Sequence, residues 1–427
     1  MHHFNDFKSF HDARINLLRP LTILIGPNGS GKTNALEAIE VLSTIASGHR
    51  LQEIADLGRE AALNVRGGLQ ACVRHGEDTF TLSFRARVRW LRNHHRVAYS
   101  VSIRPRPEPR IVHESLKLTD DDTLLFETLG AGSPHSADIR VRYNNFARGG
   151  QKPQSSVSAT RSALSQYERF AIRNQRLSDC LQLISGLRDH LAASFVFDPK
   201  PYAMRRYERI GHELLLRDGS NLSSVLCSLH SNGPAATETL RSLFEHVRHV
   251  PEEMYSQFEF VKTELGDVML GLREQDSGML TDARLLSDGT LRTLAVLTAV
   301  ATSHKLSRVV VEEFDNGLHP SRISALVATL AEMGEQRKVN VVLSTHNPVT
   351  LDSLTENQLQ GVVLAFRSRN DGSTKLQRLV DLPRHDELLE RGSLGGLVTR
   401  RIIDQYVRDE ASEERAAKMR RWLEERT

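Results

Sequence analysis

The run Gly26-Pro-Asn-Gly-Ser-Gly-Lys32-Thr33 constrains this chain more than any other stretch. It matches G-x-x-x-x-G-K-[ST] in full and stands between a short apolar run, Leu21 to Ile25, and an amphipathic stretch from about Gly31 to Ala46. Between a strand and a helix, such a run folds as a loop whose backbone N–H groups converge on phosphate oxygens, with a favourable dipole from the helix N-terminus. Gly26, Asn28, Gly29, Ser30 and Gly31 form the cradle, and Asn34 follows it into the helix. Lys32 is placed to reach the β- and γ-phosphates, and Thr33 to set its hydroxyl on Mg²⁺. Leu36, Ile39, Leu42 and Ile45 mark the apolar stripe of the helix, and Gly48 ends it. Alone, the loop says only that a nucleoside triphosphate is bound. Kinases, GTPases and ATPases all remain open.

Composition narrows the setting. At 427 residues, 39% apolar and 26% charged, the chain reads as ordinary globular protein with room for two or three domain-sized units. A net charge of +3 makes no case for nucleic acid, so any basic footprint must be local. Cys72, Cys180 and Cys227 are too few and too scattered for a disulfide framework or a zinc site, which suits a reducing compartment. The first twenty residues lack the apolar run of a secretory leader, and no stretch reaches the roughly 18–20 apolar residues of a membrane span. A cytoplasmic protein is expected.

The periodicity changes along the chain. From Thr79 to Ile103 it is two: Phe80, Leu82, Phe84, Ala86, Val88 and Trp90 alternate with Arg85, Arg87 and Arg89, and Val97, Tyr99, Val101 and Ile103 alternate after a polar turn, Arg92-Asn93-His94-His95. This predicts a β-hairpin with one buried and one arginine-rich face. Residues 144 to 160 read as a loop or linker, and 161 to 246 as mostly helical. After Leu285, helix and strand alternate: a helix after Asp288, strand Arg308 to Val311, a helix from Ser321, and strand Val339 to Ser344. That order argues for a parallel α/β sheet.

Three later features bear on the loop. Val309-Val-Val-Glu312-Glu313 is an apolar strand ending in two carboxylates, and strand ends deliver such groups into the ligand crevice of an α/β sheet. Glu312 is placed to help hold Mg²⁺, and Glu313 to polarise an attacking water. Leu286-Ser287-Asp288-Gly289-Thr290 precedes an apolar-striped helix; Ser287 and Gly289 there form either an ordinary N-cap or an anion site. Ser344-Thr345-His346-Asn347-Pro348 closes the next strand, with His346 at its tip.

In the order phosphate loop, Ser287 turn, paired acids and His346, the chain resembles the ABC-type ATPases of the RecF, structural-maintenance-of-chromosomes (SMC) and OLD (overcoming lysogenization defect) group. More closely, it resembles the compact AAA family ATPases of bacterial defence and DNA repair, without a Toprim domain. The opening Phe7-Lys-Ser-Phe10, the phosphate loop, Leu286 to Thr290, Glu312-Glu-Phe-Asp-Asn-Gly-Leu-His-Pro320 and Thr345-His-Asn-Pro348 carry the resemblance, and Asp218-Gly-Ser-Asn-Leu222 adds to it. It covers roughly residues 1 to 130 and 205 to 400.

The resemblance implies a P-loop head with a mixed, largely parallel sheet, an antiparallel β-subdomain and an inserted helical lid. The corresponding divisions are 1–150, with the phosphate loop and β-subdomain; 151–250, the lid; 251–405, with Ser287, the paired acids and the histidine; and 406–427, a charged C-terminal helix. It further implies ATP and Mg²⁺ as cofactors, slow hydrolysis, His346 as a sensor of the γ-phosphate, and Lys32 and Glu313 as catalytic groups. It also implies that two copies close head to tail, each ATP lying between the loop of one and Ser287 and Gly289 of the other. Two positions depart from the pattern. Glu312 stands where most relatives have aspartate, and Gln70 is only a candidate for the glutamine loop.

What the protein acts on stays open at this level. Arg85, Arg87 and Arg89 could track the phosphates of DNA or RNA, or form a solvated face that blunts a sheet edge. The ATPase could signal to a separate effector protein, or serve as a non-hydrolysing, ATP-gated scaffold.

Overall fold

The computed structural model describes the chain apart from residues 56–64, 91–92, 131–135, 148, 172–174, 249–253, 369, 383–392 and 400–427. Six strands form a mixed sheet in the order β10 (Ser194–Phe197), β15 (Arg308–Val311), β16 (Asn340–Thr345), β3 (Leu21–Ile25), β17 (Val362–Arg367) and β18 (Thr374–Arg378). The first five are parallel and β18 returns antiparallel. Unbroken apolar runs make these strands because both faces are covered. Leu24, Val310 and Val342 enter one core, while Ile23, Ile25, Val309, Val311, Val341 and Leu343 enter another.

The first core lies against an eight-stranded antiparallel sheet, ordered β2 (Asp12–Ile15), β1 (His2–Asn5), β4 (Phe80–Trp90), β5 (Asn93–Arg104), β6 (Arg110–Leu118), β7 (Leu124–Thr128), β8 (Asp138–Tyr143) and β9 (Gln154–Ser158). Phe80, Leu82 and Phe84 point inward, and Arg85, Arg87 and Arg89 are exposed. The expected polar turn is shorter than its sequence suggests, since Asn93, His94 and His95 already belong to β5 and Arg92 falls outside the described residues. β9 corrects the loop expected over 144 to 160. Only Val157 of its five side chains is buried, so this serine-rich strand beside β8 carries almost no apolar alternation to read.

Helix α1 (Lys32–Ala46) is enclosed well beyond its predicted stripe. Ala35, Ala38, Val41 and Ala46 are buried along with Leu36, Ile39, Leu42 and Ile45. It packs with α2 (Leu51–Ala55), α3 (Ala163–Phe170) and α4 (Gln175–Ala192). Glu114 of β6, fully buried, caps α3 from a distance: its carboxylate accepts from the Ala163 and Leu164 N–H groups at 2.7 and 2.9 Å and from the Ser162 hydroxyl at 2.7 Å. The second core holds α5 (Pro201–Met204), α6 (Leu222–Ser231), α7 (Pro234–Val247), α8 (Asp288–Thr302) and α9 (Pro320–Arg337). A small sheet, β11 (Glu208–Arg209), β13 (Asp267–Glu274) and β12 (Tyr255–Lys262), with β14 (Leu280–Asp282) on β13, completes it. Residues 151–250, expected as an inserted lid, thus feed helices into both cores and β10 into the parallel sheet. The charged helix expected over 406–427 lies outside the described residues.

One buried basic cluster joins the two sheets at the edge where β15 begins. The Arg308 guanidinium is 1% exposed and donates to the Ser194 hydroxyl at 2.8 Å. His2 is fully buried with neither ring nitrogen partnered, and His190 sits 3.1 Å from the Leu306 carbonyl. Burial, then the neighbouring Arg308 charge, pushes His2 well below the usual histidine range and His190 down to about 4. Both stay neutral in the folded chain. Below pH 6.5 the unfolded chain takes up protons that the folded one refuses, so stability is full above pH 6.5 and falls as pH drops toward 4, by up to about 1.4 kcal/mol per pH unit for each histidine. Urea midpoints at pH 7.5 and 5.0 measure this loss, and His2→Leu should flatten it.

Candidate nucleotide site

The parallel register sets the site. Because Val311 pairs with Leu343, and Leu343 with Ile23, the strand ends emerge along one edge: Asp198 after β10, Glu312 after β15, Gly26 after β3 and His346 after β16.

The loop after β3 needs its glycines. A Cβ on Gly26 would overlap the Ala365 carbonyl of β17, and one on Gly31 would overlap Thr374 Oγ1 of β18. Gly29 and Gly31 hold φ of +78° and +103°, values that side chains resist. Asn28 and Gly29 are exposed, whereas the Ser30 hydroxyl is buried without a protein partner. Lys32 folds back, its ammonium donating to the Gly26 and Pro27 carbonyls at 2.6 and 3.1 Å. Burial lowers its pKa, against the upward pull of Glu313, Glu312 and Asp315. Asn34 turns away from the loop tip and donates to Ser9 Oγ at 2.7 Å; the Thr374 hydroxyl donates to the Ser30 carbonyl at 2.8 Å and accepts from the Ser9 hydroxyl at 2.8 Å. Ser9, within the opening Phe7-to-Phe10 run, therefore braces the loop.

Thr33 Oγ1 donates to Glu312 Oε1 at 2.5 Å. Among the described residues no three carboxylate, imidazole or thiol side chains gather closely enough to hold a metal by themselves. A hydroxyl and one carboxylate beside a phosphate loop nevertheless suit Mg²⁺, which takes one or two protein oxygens and fills the rest of its shell with phosphate and water. The residues fit the ion. Glu312 reaches Thr33 directly, so its extra methylene is taken up by the geometry.

Glu313 holds φ +48°, an unusual backbone for a side-chain residue and one that occurs at functional sites. Its N–H donates to Ser344 Oγ at 3.2 Å, and its carboxylate lies 3.5 Å from His346 Nδ1, both side chains about half exposed. Asp315, 6% exposed, fixes this pairing from behind. Its Oδ2 accepts from Thr345 and Thr350 hydroxyls at 2.6 and 2.7 Å, tying the His346 turn to the segment after Glu313.

Ser287 caps α8: its Oγ accepts from the Thr290 N–H at 3.1 Å. Arg205 clamps the turn, pairing with Asp288 at 2.6 Å and donating to the Leu286 carbonyl at 2.8 Å. Gly289 packs so closely on Gly317 that an added Cβ would stand 3.0 Å from its carbonyl oxygen. The turn thus rests on the segment after the paired acids. No hydrogen bond among the described residues joins Ser287 or Gly289 to the phosphate loop of the same chain. Arg292, one turn further into α8, faces Asp198, Asp288, Glu313 and Asp315, and burial lowers its pKa against their pull.

Beside Thr33 and Glu312 opens a cleft of about 220 Å³, walled also by Glu37 and Glu40 of α1, Arg66, Asp198 and Arg217. Glu37 accepts from Lys8 Nζ at 2.5 Å and from Arg66 Nε at 3.2 Å. Burial pushes Glu40 up to about 7 although Arg217 pulls it down. Gln70 is exposed in a short 3₁₀ turn and takes no part in the cleft walls, where Asp198 stands instead. Sequence reasoning missed Asp198, Asp315, Arg205 and Arg217. The strand-end rule applied to Phe195-Val-Phe197 could have found Asp198.

Comparisons with known proteins point the same way. A family model described as "AAA domain, putative AbiEii toxin, Type IV TA system" matches residues 172–352, and one described as "AAA domain" matches 3–89. A DNA replication and repair protein RecF of Streptomyces avermitilis is 32% identical over 154 residues, 34% of this chain and 40% of the relative. That of Pseudarthrobacter chlorophenolicus is 29% identical over 266 residues, 56% of this chain and 63% of the relative. The chain therefore spans less than two thirds of either RecF. A solved SMC head bound to the C-terminal winged-helix domain of ScpA aligns over 88% of this chain and 96% of its own at 11% identity and a TM-score of 0.46. At that score the fold assignment rests on strand order and motif placement.

Proposed function

We propose that the chain is an ABC-type ATPase of the RecF/SMC group that binds Mg-ATP at Gly26–Thr33, closes head to tail as a dimer around two nucleotides, and hydrolyses them. The cycle is coupled to nucleic acid or to a separate effector in DNA repair or anti-phage defence, in the cytoplasm. One observation carries this reading. Thr33, Glu312, Glu313 and His346 converge at one sheet edge, while Ser287 and Gly289 cap a helix away from their own phosphate loop.

Thr33 and Glu312 would hold Mg²⁺, which would supply positive charge to neutralise the negative charge developing on the transferring group. Lys32 leaves the Gly26 and Pro27 carbonyls and turns its ammonium to the β- and γ-phosphates. The N–H groups of Gly29 to Thr33, with Asn28 at the loop tip, enclose them. Glu313 orients and polarises the attacking water, and His346, held by Asp315 through Thr345, faces the γ-phosphate. Ser287 and Gly289 of the partner subunit present a helix N-terminus to the same phosphate.

Arg85, Arg87 and Arg89 support nucleic acid as the regulator. They are exposed in register on β4, with Arg96 opposite Arg87 and His94 opposite Arg89. None of the three makes an ion pair among the described residues, so their charges are open to phosphates. Phosphate release with and without duplex DNA or RNA tests the coupling. Nucleic acid should stimulate the wild type, and Arg85→Ala/Arg87→Ala/Arg89→Ala should abolish stimulation and reduce the salt slope of binding by roughly 2–3. An unchanged slope returns that face to solvent and leaves a protein effector as the partner.

A further inference from the structure

The Asp218-Gly-Ser-Asn-Leu222 segment has no place in the reaction above, yet Arg217, immediately before it, lines the cleft beside Thr33 and Glu312. Its conformation is over-determined. Asn221 is fully buried; its Oδ1 accepts from the Leu216 N–H and its Nδ2 donates to the Leu214 carbonyl, both at 2.9 Å. Gly219 at φ +74° closes the turn, and Asp218 caps the Ser220 N–H at 3.0 Å. The result projects Arg217 away from its own core. Leu215 and Leu222, which flank it, are packed in the second core together with Leu286 and Leu291 of the Ser287 turn and α8.

Arg217 reaches the other core. Its guanidinium pairs with Glu40 of α1, whose side chain is almost wholly buried. Its carbonyl accepts from the Asp198 N–H at 2.9 Å, and the Asp218 carbonyl accepts from the Lys200 N–H at 2.8 Å. One residue therefore grips two of the cleft walls, α1 two turns beyond Thr33 and the chain end after β10. The remaining carboxylates of the cleft have other partners: Glu37 has Lys8 and Arg66, Asp198 has Lys200 at 2.6 Å, and Glu312 has the Thr33 hydroxyl. Arg217 is the cation that holds Glu40. A buried carboxylate left without its cation is costly, so this contact has a preferred geometry and resists being broken.

We propose that Arg217 is a positioning residue that ties the subdomain carrying Ser287 to the phosphate-loop helix two turns beyond Thr33, setting Glu312 and Thr33 for Mg²⁺. The inference rests on the ATPase reading and adds to it a route by which metal-bound nucleotide is felt by the Ser287 turn. Arg217 touches no reacting atom. Its removal leaves the phosphate cradle intact and loosens only the metal side.

The test separates those two sides. Affinity for a fluorescent ATP analogue is measured in EDTA and in Mg²⁺, for wild type, Arg217→Leu, Glu40→Gln, and the exchange Arg217→Glu/Glu40→Arg. The wild type should gain affinity from Mg²⁺. Arg217→Leu should lose at least about tenfold of that gain while its EDTA affinity stays within about twofold of wild type. Glu40→Gln should lose less, and the exchange should recover part of the loss. The proposal is overturned if Arg217→Leu keeps the full Mg²⁺ gain. It is equally overturned if EDTA and Mg²⁺ affinities fall together with melting temperature, or if the exchange recovers nothing while still melting like the wild type. A wild type that binds no nucleotide under either condition removes the ATPase reading itself, a result distinct from all of these.

Discussion

Glu313→Gln is expected to lower steady-state phosphate release by at least about 10²-fold while leaving Mg-ATP affinity within about twofold, and to accumulate an ATP-dependent dimer. The amide keeps the shape of the carboxylate and both backbone contacts, so the N–H to Ser344 Oγ and the φ of +48° survive. What it loses is the charge proposed to polarise water, which faces His346 Nδ1 at 3.5 Å. Binding is expected to persist because the cradle, Lys32 and the Thr33–Glu312 pair are untouched. Phosphate release and light scattering after gel filtration give both readouts. Equal, negligible release from wild type and variant would leave an ATP-gated scaffold as the better description. A variant as active as a robust wild type would move the catalytic base elsewhere.

The parts of this site that were legible in the sequence are those whose chemistry dictates residue type at short range. A phosphate cradle needs glycines, a lysine and a hydroxyl within one loop, and a buried parallel strand needs an apolar run. Leu21–Ile25 and Arg308–Val311 therefore appear where they were expected. Contacts made across long separations leave no such trace. Glu114 capping α3, Asp315 holding Thr345 and Thr350, and Arg217 reaching Glu40 are each satisfied by a partner far along the chain. Nothing local distinguishes those acids from surface ones. Asp198 is an intermediate case, since it follows a short apolar strand, but Phe195-Val-Phe197 is brief and embedded in a largely helical stretch. Burial on every side also hid information: α1 looked amphipathic because alanines on its other faces weigh little in a pattern of large apolar residues.

The proposed composite pocket makes the sharpest demand, because it would separate residues that share a chain. Lys32→Ala and Ser287→Arg should each lower phosphate release by about 10²-fold or more as pure proteins, the first by losing the phosphate cation and the second by blocking the partner's nucleotide. Mixed in equal amounts and allowed to exchange, they should recover about a quarter of the wild-type rate, since half of the dimers are mixed and each mixed dimer holds one intact site of two. That site pairs the loop of the Ser287→Arg copy with the Ser287 turn of the Lys32→Ala copy. Loss of the cap at α8 costs about 1 kcal/mol, a loss the buried helix should survive, and melting curves check it. Activity from the mixture cannot arise if Ser287 serves its own chain, because every copy then carries a damaged site. No recovery, with mixed dimers demonstrated by differential tagging, would remove Ser287 and Gly289 from the nucleotide and leave the turn as a plain helix cap braced against Gly317.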